Sequence, residues 1–323
     1  MLKHPEIRKI ILSNWPNAKI NLIKEFTEGY NNLAYDVRLN IGNFVVKIIK
    51  LKGYEKYLLK QKKIRNLVRK RFKDFPIAKI IKSDYSKKII DNYYIISERV
   101  DGKSLQSTYN KVTNKEQLYE EIGELYGKLH SFKLRNYGEL DSSLKIIKPY
   151  KSWYLSKVNE IKKTLEEVKE NSLLSKKAIL KSEYYLEENK YLLKKEIGPC
   201  LCHGDASDSN IIVKKYGRKY HVSGLIDFEF SRSSGALYEL FSGLRSFDKK
   251  YSNKDSLFRG YIKWSQLPKD WEKLIFFYQW MNHLKQLTKI NGMKWRNLSE
   301  KETIERKEDL MKKSLLEINR IIN

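Results

Sequence analysis

The chain has 323 residues, enough for two lobes with a core each, and a composition of 41% hydrophobic and 12% aromatic residues excludes a disordered protein. The formal net charge is +26, yet the lysines are spread along the whole chain, so the charge does not indicate a dedicated nucleic-acid surface. Because no eighteen apolar residues run together and the first twenty residues hold no signal-peptide core, we expect no membrane span and a cytoplasmic protein.

The first hundred residues predict a helix followed by a small sheet. Ile7, Ile10 and Ile11 repeat at helical spacing, which indicates a short amphipathic helix. Segments rich in β-branched and aromatic residues and bounded by turn residues predict strands at residues 20–26, 33–39, 44–49, 77–82 and 93–98. A helix is predicted at residues 54–72, between the third and fourth strands. We expect the strands to form one antiparallel sheet of five.

Lys47 lies in an apolar strand of this region, beside Val46 and Ile48. An ammonium group in such surroundings requires an anionic partner. The turn before the second strand contains Gly29 and Asn31, and its backbone N–H groups are suited to lie over phosphates. Together these features indicate a phosphate site, although the turn by itself is equally typical of an ordinary hairpin.

The rest of the chain is predicted to be mostly helical. An apolar stripe of Leu118, Ile122, Leu125 and Leu129 has the period of a helix that faces a core. Residues 141–199 are strongly charged and are predicted to be helical. A buried helix is expected at residues 274–287 and an amphipathic one at residues 311–322.

The two cysteines, Cys200 and Cys202, lie two residues apart. On a strand they would share a face, but a disulfide between them would be severely strained. They therefore point to a reducing compartment. We expect no metal at this pair, because the sequence shows no partner ligands for it.

The polar residues with the most informative spacing lie in residues 201–230, LCHGDASDSNIIVKKYGRKYHVSGLIDFEF. Asp205 is followed five residues later by Asn210, and an apolar run begins directly after that. A turn at residues 216–218 leads to a second apolar run, which ends at Asp227. Two strands joined by this turn would bring Asn210 and Asp227 to the same end of a hairpin.

These three residues suit phosphoryl transfer. Side-chain oxygens of Asn210 and Asp227 are the ligands that Mg²⁺ prefers when phosphate oxygens fill its other positions. Asp205, on the loop before the hairpin, is placed to orient a hydroxyl group and accept its proton. Each residue alone is more typical of a turn or a strand end, and it is their order and spacing that favour a catalytic interpretation.

The segment HGDASDSN, which starts at His203, and the segment IDFE, which starts at Ile226, resemble the two motifs of the aminoglycoside phosphotransferase and choline kinase superfamily. The members of that superfamily are small-molecule kinases. The resemblance implies a bilobal, protein-kinase-like α+β fold. Residues 1–100 would form a small nucleotide-binding lobe around the five-stranded antiparallel sheet, and residues 101–323 a larger, mostly helical lobe with the catalytic loop and the acceptor pocket.

The resemblance also implies roles for residues in the first lobe. Lys47 would contact ATP, and the turn with Gly29 and Asn31 would cover its phosphates. The linker at residues 97–102, including Glu98, would meet the adenine through its backbone. The kinase pattern requires a helix residue that pairs with Lys47. Here the sequence leaves two alternatives, Glu55 with a shifted helix or Gln61 with a neutral hydrogen bond.

The expected activity is ATP- and Mg²⁺-dependent transfer of a phosphoryl group to a hydroxyl of a small molecule, either an aminoglycoside-like or an amino-alcohol acceptor. A choline, ethanolamine or sugar kinase is an alternative, and so is a non-catalytic pseudokinase or a basic nucleic-acid-binding protein. The sequence leaves the oligomeric state open. His130 is predicted to pack behind the catalytic loop. The polar residues that we would test for contact with the acceptor are Asp208, Glu229, Glu239 and His283.

Overall fold

The computed structural model describes residues 4–26, 32–49, 53, 55–247, 253–293 and 299–323. Gly29 and Asn31, predicted to cover the phosphates, lie outside the described residues. The fold combines a five-stranded antiparallel sheet with a large helical part, so the predicted α+β class is confirmed.

The first part of the chain forms a sheet preceded by helix α1 (Pro5–Asn14). The strands are β1 (Ile20–Phe26), β2 (Asn32–Leu39), β3 (Gly42–Ile49), β4 (Ile80–Asp84) and β5 (Tyr93–Glu98). Their spatial order is β1-β2-β3-β5-β4, and every neighbouring pair is antiparallel. Strand β3, which carries Lys47, therefore lies in the centre of the sheet.

Helix α1 packs against this sheet through its apolar stripe. Ile7, Ile10 and Ile11 are all buried, in one cluster with Val37 of β2 and Val46 of β3. The three isoleucines follow the helical period, and the strand residues point to one face because side chains alternate along a strand. The helix thus covers one face of the sheet.

Helix α2 (Glu55–Arg71) links the sheet to the rest of the molecule. Leu58, near its beginning, packs with Ile49 and Ile95 of the sheet. Ile64 and Val68, further along, belong instead to the large core of the second half of the chain. The helix consequently fixes the sheet relative to the elements that follow.

After β5, which ends at Glu98, the chain continues through β6 (Lys103–Ser104) into the helical part. The α-helices there are α3 (Leu105–Thr108), α4 (Lys115–His130), α5 (Trp153–Glu170), α6 (Lys176–Asn189), α7 (Ala236–Phe247), α8 (Lys254–Tyr261), α9 (Trp271–Lys289) and α10 (Glu300–Ile322). They enclose a core that contains Trp280 and Tyr278 of α9, as the apolar pattern of that segment predicted. Among the described residues, no helix is both long enough and apolar enough to span a bilayer.

Two small sheets lie within the helical part. One has the order β11-β10-β6, with β10 (Ile211–Tyr216) and β11 (Lys219–Leu225) forming a hairpin. The other has the order β8-β7-β12-β9 and contains β7 (Tyr137–Leu140), β8 (Ile146–Tyr150), β9 (Cys200–Cys202) and β12 (Arg232–Ser234).

The prediction that residues 141–199 are helical was therefore wrong for β8, which pairs with β7. A short strand of this kind takes its conformation from its partner rather than from its own pattern.

Candidate active site

The β10–β11 hairpin brings its two ends together. Ile211 and Leu225 are paired, and the backbone N–H of Ile226 donates to the carbonyl oxygen of Asn210 at 3.0 Å. Asn210, directly before β10, and Asp227, directly after β11, therefore lie at the same end. Leu225 also donates its backbone N–H to the carbonyl of Pro76 at 2.8 Å, which ties the hairpin to the segment before β4.

Asn210 is joined to Asp205 of the preceding loop. Its amide nitrogen donates to the carbonyl oxygen of Asp205 and to the Oδ2 carboxylate oxygen of the same residue, each at 2.9 Å. Within the described part of the chain no hydrogen bond reaches the amide oxygen of Asn210, so this oxygen could bind a cation. The two hydrogen bonds also hold the Asp205 carboxylate in one orientation at the start of the hairpin.

Lys47 reaches from the first sheet to the end of this hairpin. Its ammonium donates to Asp227 Oδ1 at 2.9 Å and to Glu229 Oε2 at 2.8 Å. The Lys47 side chain is 15% exposed and that of Glu229 only 4%, so this is a largely buried cluster. The anionic partners that an ammonium in an apolar strand requires are thus two carboxylates of the IDFE segment.

The charges of this cluster shift each other's pKa values. Burial acts to lower the pKa of Lys47, but Asp227 and Glu229 outweigh it and raise that pKa. Burial opposes ionisation of Asp227 as well, yet the neighbouring Lys47 keeps the pKa of that carboxyl below its usual value. Burial and then the Asp227 charge raise the pKa of Glu229. Glu229 is therefore the more easily protonated of the two acids.

Asp227 has an unusual backbone conformation. Its φ of 66° lies in the left-handed region, and a 3₁₀ turn at Phe228–Phe230 follows it directly. A residue other than glycine in that region carries strain of about 1–3 kcal/mol, which the surrounding structure must stabilise. The turn is what places Glu229 beside Asp227, so that both carboxylates reach Lys47.

The loop that leads to Asp205 is hydrogen-bonded to Glu239 of α7. The carboxylate accepts hydrogen bonds from the backbone N–H of His203 at 2.8 Å and of Gly204 at 2.6 Å. It is also 2.9 Å from Nε2 of His130, at the end of α4. Burial acts to raise the pKa of Glu239, but the His130 hydrogen bond and the other donors lower it overall. Glu239 is an ionised support of the loop backbone.

His203 is completely buried and connects the loop to the hairpin. Its Nε2 lies 2.7 Å from the carbonyl oxygen of Ile226, and its Nδ1 accepts the backbone N–H of Asp205 at 3.3 Å. These partners require a neutral ring with its proton on Nε2. Phe228 packs edge-on against the ring, with centroids 4.6 Å apart. The histidine positions Asp205 and contributes no free proton.

Tertiary structure supplies the cysteine pair with a third possible metal ligand, which the sequence did not reveal. His130 lies with Cys200 and Cys202 in one buried group whose ligand atoms are within 4.8 Å of one another. Both nitrogens of His130 are nevertheless engaged, one by Glu239 and the other by Tyr261 at 3.2 Å. The thiols lie near the carbonyl oxygens of Ser234 and Gly235, as protonated thiols do, and burial raises the pKa of Cys202 well above its usual value.

Gln61, one of the two alternatives for the residue that pairs with Lys47, has another partner in the structure. The amide oxygen of Gln61 accepts a hydrogen bond from Arg65, one turn later on α2, at 2.9 Å. Both side chains are buried, and burial lowers the pKa of Arg65 to about 10. The amide oxygen of Gln61 is therefore bound by Arg65, and the ammonium of Lys47 is bound by Glu229 instead. The side chain of Glu55, the other alternative, lies outside the described residues.

The structure places the other predicted residues as follows. Glu98 ends β5, where its backbone N–H donates to the carbonyl of Lys79 and its carboxylate accepts the N–H of the same residue.

Glu229 and Glu239, considered as acceptor contacts, are instead committed to Lys47 and to the loop. His283 of α9 lies 3.5 Å from Ser314 of α10. The sequence signal that could have identified Glu229 as the lysine partner is its position two residues after Asp227.

The donor set at the end of the hairpin fits a hard divalent cation. The hydrogen bonds that Asn210 makes to Asp205 involve its amide nitrogen and not its amide oxygen. Among the described contacts, Asp227 accepts the hydrogen bond of Lys47 through its Oδ1 oxygen. Both groups are oxygen ligands of the kind that Mg²⁺ prefers. A carboxylate, an amide oxygen and an ammonium thus converge around one place, which suits binding and transfer of a phosphoryl group.

Comparison with known proteins gives a family match and several fold matches. The sequence pattern of the phosphotransferase enzyme family matches residues 22–277. No curated protein sequence is significantly similar to the chain. Among solved structures, the GDP complex of wild-type aminoglycoside 2'-phosphotransferase-IIIa is similar over 98% of this chain and 99% of its own, at 16% identity and a TM-score of 0.67. The structure of APH(4)-Ia is similar over 98% and 97%, at 13% identity and a TM-score of 0.63.

A third structure, APH(2")-IIIa with GDP and kanamycin, is similar over 95% of this chain and 97% of its own, at 16% identity and a TM-score of 0.64. At these identities the likeness is one of fold. The family pattern itself covers most of the chain, from the first strand to α9, and includes every residue of the site described above. The chain therefore belongs to the phosphotransferase enzyme family.

Proposed function

We propose that this enzyme transfers the γ-phosphoryl group of ATP to a hydroxyl group of a small molecule. The observation that carries the proposal is the convergence of four groups from three separate segments. Lys47 contacts Asp227 at 2.9 Å, the backbone of Ile226 ties Asp227 to Asn210, and Asn210 contacts Asp205 at 2.9 Å. This set provides the positioning and charge compensation that phosphoryl transfer requires.

The similar structures support a nucleotide as one substrate and a small-molecule acceptor as the other. One is a complex with GDP and kanamycin, and others are ternary complexes with hygromycin B and either ADP or AMP-PNP. These ligands belong to those proteins. For the present chain they support a nucleoside triphosphate as the phosphoryl donor and a hydroxyl-bearing small molecule as the acceptor.

In this proposal each residue has one task. Lys47 exchanges a carboxylate for the phosphates of the nucleotide when ATP binds, and Glu229 keeps the ammonium oriented during that exchange. Asn210 and Asp227 would hold Mg²⁺, which would neutralise phosphate charge when bound. Glu98 and the linker after it would meet the adenine through backbone groups.

Asp205 would orient the acceptor. Its carboxylate would accept a hydrogen bond from the acceptor hydroxyl. It would take the proton only as the hydroxyl oxygen bonds to the phosphoryl group, because a carboxylate is too weak a base to deprotonate a free alcohol beforehand. The two hydrogen bonds from Asn210 hold the carboxylate in place for this. The contribution of Asp205 is therefore mainly to orientation.

The test separates nucleotide binding from turnover. Mg²⁺ with ATP or GTP is expected to raise the Tm of the wild-type protein and of Asp205→Ala, but not that of Asp227→Ala. Consumption of nucleotide in the presence of a panel of amino alcohols, aminocyclitols and sugars is expected only for the wild type. Asp91→Ala, at an exposed position far along the chain from the loop, is the control for the loss of a carboxylate. Undiminished turnover by Asp205→Ala, or no effect of Mg²⁺ and nucleotide on the wild-type Tm, contradicts the proposal.

A further inference from the structure

Two lysines of the helical part share a single carboxylate. Lys157 and Glu160 lie on α5, and Lys285 lies on α9. Glu160 Oε2 accepts from Lys157 at 2.7 Å, while its other oxygen, Oε1, pairs with Lys285. No further carboxylate pairs with either ammonium among the described residues. One positive charge of this group is therefore uncompensated by the protein.

The uncompensated charge lies in a largely buried place. The side chain of Lys157 is 11% exposed and that of Lys285 is 18% exposed. The Lys157 ammonium lies over the rings of Trp153 and Tyr238, 4.6 and 4.5 Å from their centroids, and Lys285 donates to the Tyr238 hydroxyl at 3.4 Å. Aromatic faces compensate such a charge only in part. Tyr238 and Glu160 outweigh the burial of Lys285 and raise its pKa. Glu160 nevertheless serves both ammonium groups with one negative charge, and an anion that binds from outside the protein would supply the second.

A second group of charged side chains adjoins the catalytic loop. Arg232 of β12 donates to the carbonyl oxygen of Gly204, the residue before Asp205, at 3.1 Å. Glu139 of β7 lies opposite Arg232 in the strand register. The charges that act on Lys60 of α2 are those of Glu139, Arg232, Glu229 and Lys56. Lys60 is buried and donates to the carbonyl of Ser231 at 3.0 Å.

Tyr150 connects the two groups. Burial is the main cause that raises its pKa, and beyond a hydrogen bond with Ser156 the charged groups that act on it are Glu160, Arg232 and Tyr238. Its ring stacks on that of Tyr137, with centroids 5.4 Å apart, and Tyr137 packs on Trp153 at 5.2 Å. Because Trp153 also packs on Tyr238, with centroids 5.4 Å apart, one cluster of aromatic rings lies between Tyr150 and the two lysines.

We infer that the surface formed by Arg232, Tyr150, Tyr238, Lys157 and Lys285 binds an anionic group of the acceptor, either a carboxylate or a phosphate. The inference rests on the proposed function, because it concerns the molecule that presents its hydroxyl to Asp205. A polycationic acceptor would meet like charges on the same surface, which costs affinity. The acceptor class is therefore an anionic alcohol, such as a sugar acid or a sugar phosphate.

Four hexoses that differ in one substituent test this directly. Glucose, glucuronate, glucose 6-phosphate and glucosamine keep free hydroxyls and carry no charge, a carboxylate, a phosphate and an ammonium respectively. Calorimetric titration into the Mg²⁺ and ADP-loaded protein is expected to show at least tenfold tighter binding of one of the two anionic members than of glucose. Tighter binding of glucuronate would indicate a carboxylate ligand, and tighter binding of glucose 6-phosphate would indicate a phosphate ligand. Binding of glucosamine or kanamycin as tight as that of the better anion, or anions no tighter than glucose, overturns the inference.

Variants show whether these lysines are responsible. Lys157→Met and Lys285→Met each are expected to remove most of the preference for the anion and to leave the effect of Mg²⁺ and ATP on the Tm intact. Lys163→Met, an exposed lysine on the same helix, is the matched control and is expected to keep the preference. A preference that persists in both lysine variants overturns the inference. Because nucleotide binding is read separately, its absence in the wild type counts against the proposed function, while its presence without anion preference counts only against this inference.

Discussion

Lys47 and Glu229 lie 182 positions apart in the chain, yet their charged groups are 2.8 Å apart in the structure. In the kinase pattern the partner of this lysine comes from the helix after the third strand. Among the described side chains of that helix, Gln61 pairs with Arg65 and not with Lys47. The acid comes from the segment that also carries Asp227. Binding of the nucleotide and of the metal are therefore linked through one short turn.

Glu229→Gln is expected to weaken nucleotide binding more than stability. A hydrogen bond to a charged group contributes about 1.5–3 kcal/mol, and about 1.4 kcal/mol corresponds to a factor of ten in affinity. The KM for ATP should therefore rise about tenfold, while kcat changes less, because Asp205 is untouched. Steady-state kinetics against Glu166→Gln, an exposed acid on α5, measure this. An unchanged KM would show that Asp227 alone orients Lys47.

Glu239→Gln is expected to impair both folding and turnover. Its two carboxylate oxygens accept from the backbone of His203 and Gly204 and from His130. A glutamine turns one of these acceptors into a donor, and the loss of a buried charged partner costs about 3 kcal/mol or more. The free energy of unfolding measured in urea and the kcat should both fall. Glu183→Gln, on the surface of α6, should match the wild type in both measurements. A stable, fully active Glu239→Gln protein would show that the loop keeps its shape without this support.

Gly204→Ala and Gly217→Ala form a matched pair of substitutions at positive φ. A Cβ at Gly204 would lie 2.0 Å from the carbonyl oxygen of Phe230, whereas a Cβ at Gly217, in the hairpin turn, meets nothing within 4 Å. Both alanines adopt a strained backbone, at a cost of about 1–3 kcal/mol. Only Gly204→Ala must also displace the 3₁₀ turn after Asp227, so it alone should lose activity. Equal activity of the two variants would contradict this close approach.

The buried acid Glu196 should make stability depend on pH. Burial raises its pKa to about 7 despite hydrogen bonds from Tyr278 and from the backbone at the start of α7. In the unfolded chain the group titrates near 4.5, so between these values the folded state holds more protons. The stability of the fold therefore falls as the pH rises from about 4.5 to about 7, by roughly 3 kcal/mol for this group.

Urea unfolding at pH values from 5 to 8 measures this slope. Glu196→Gln cannot titrate and is expected to lose that part of the pH dependence, although its overall stability is lower because its amide group meets backbone donors. The comparison is between slopes and not between absolute stabilities. Equal slopes for the two proteins would mean that Glu196 is already ionised in the fold at pH 5.

The sequence by itself determined the features that depend on local pattern. Segments rich in β-branched and aromatic residues, bounded by turn residues, predicted four of the five strands of the first sheet nearly to the residue, because such side chains favour strands. The spacing of Asn210 and Asp227 around two apolar runs predicted the hairpin that joins them. Lys47 inside an apolar strand indicated that an acid must lie nearby, since an isolated buried ammonium is not tolerated.

Only the tertiary structure decided which acid that is. Glu229 reaches Lys47 because a residue with positive φ starts a 3₁₀ turn, and such a turn leaves no periodic signal in the sequence. Strand β8 forms because β7 lies beside it, and Glu239 meets the loop backbone because α7 passes beneath it. These contacts join residues far apart in the chain, where the pairing is selected by packing and charge compensation rather than by the residues next to them.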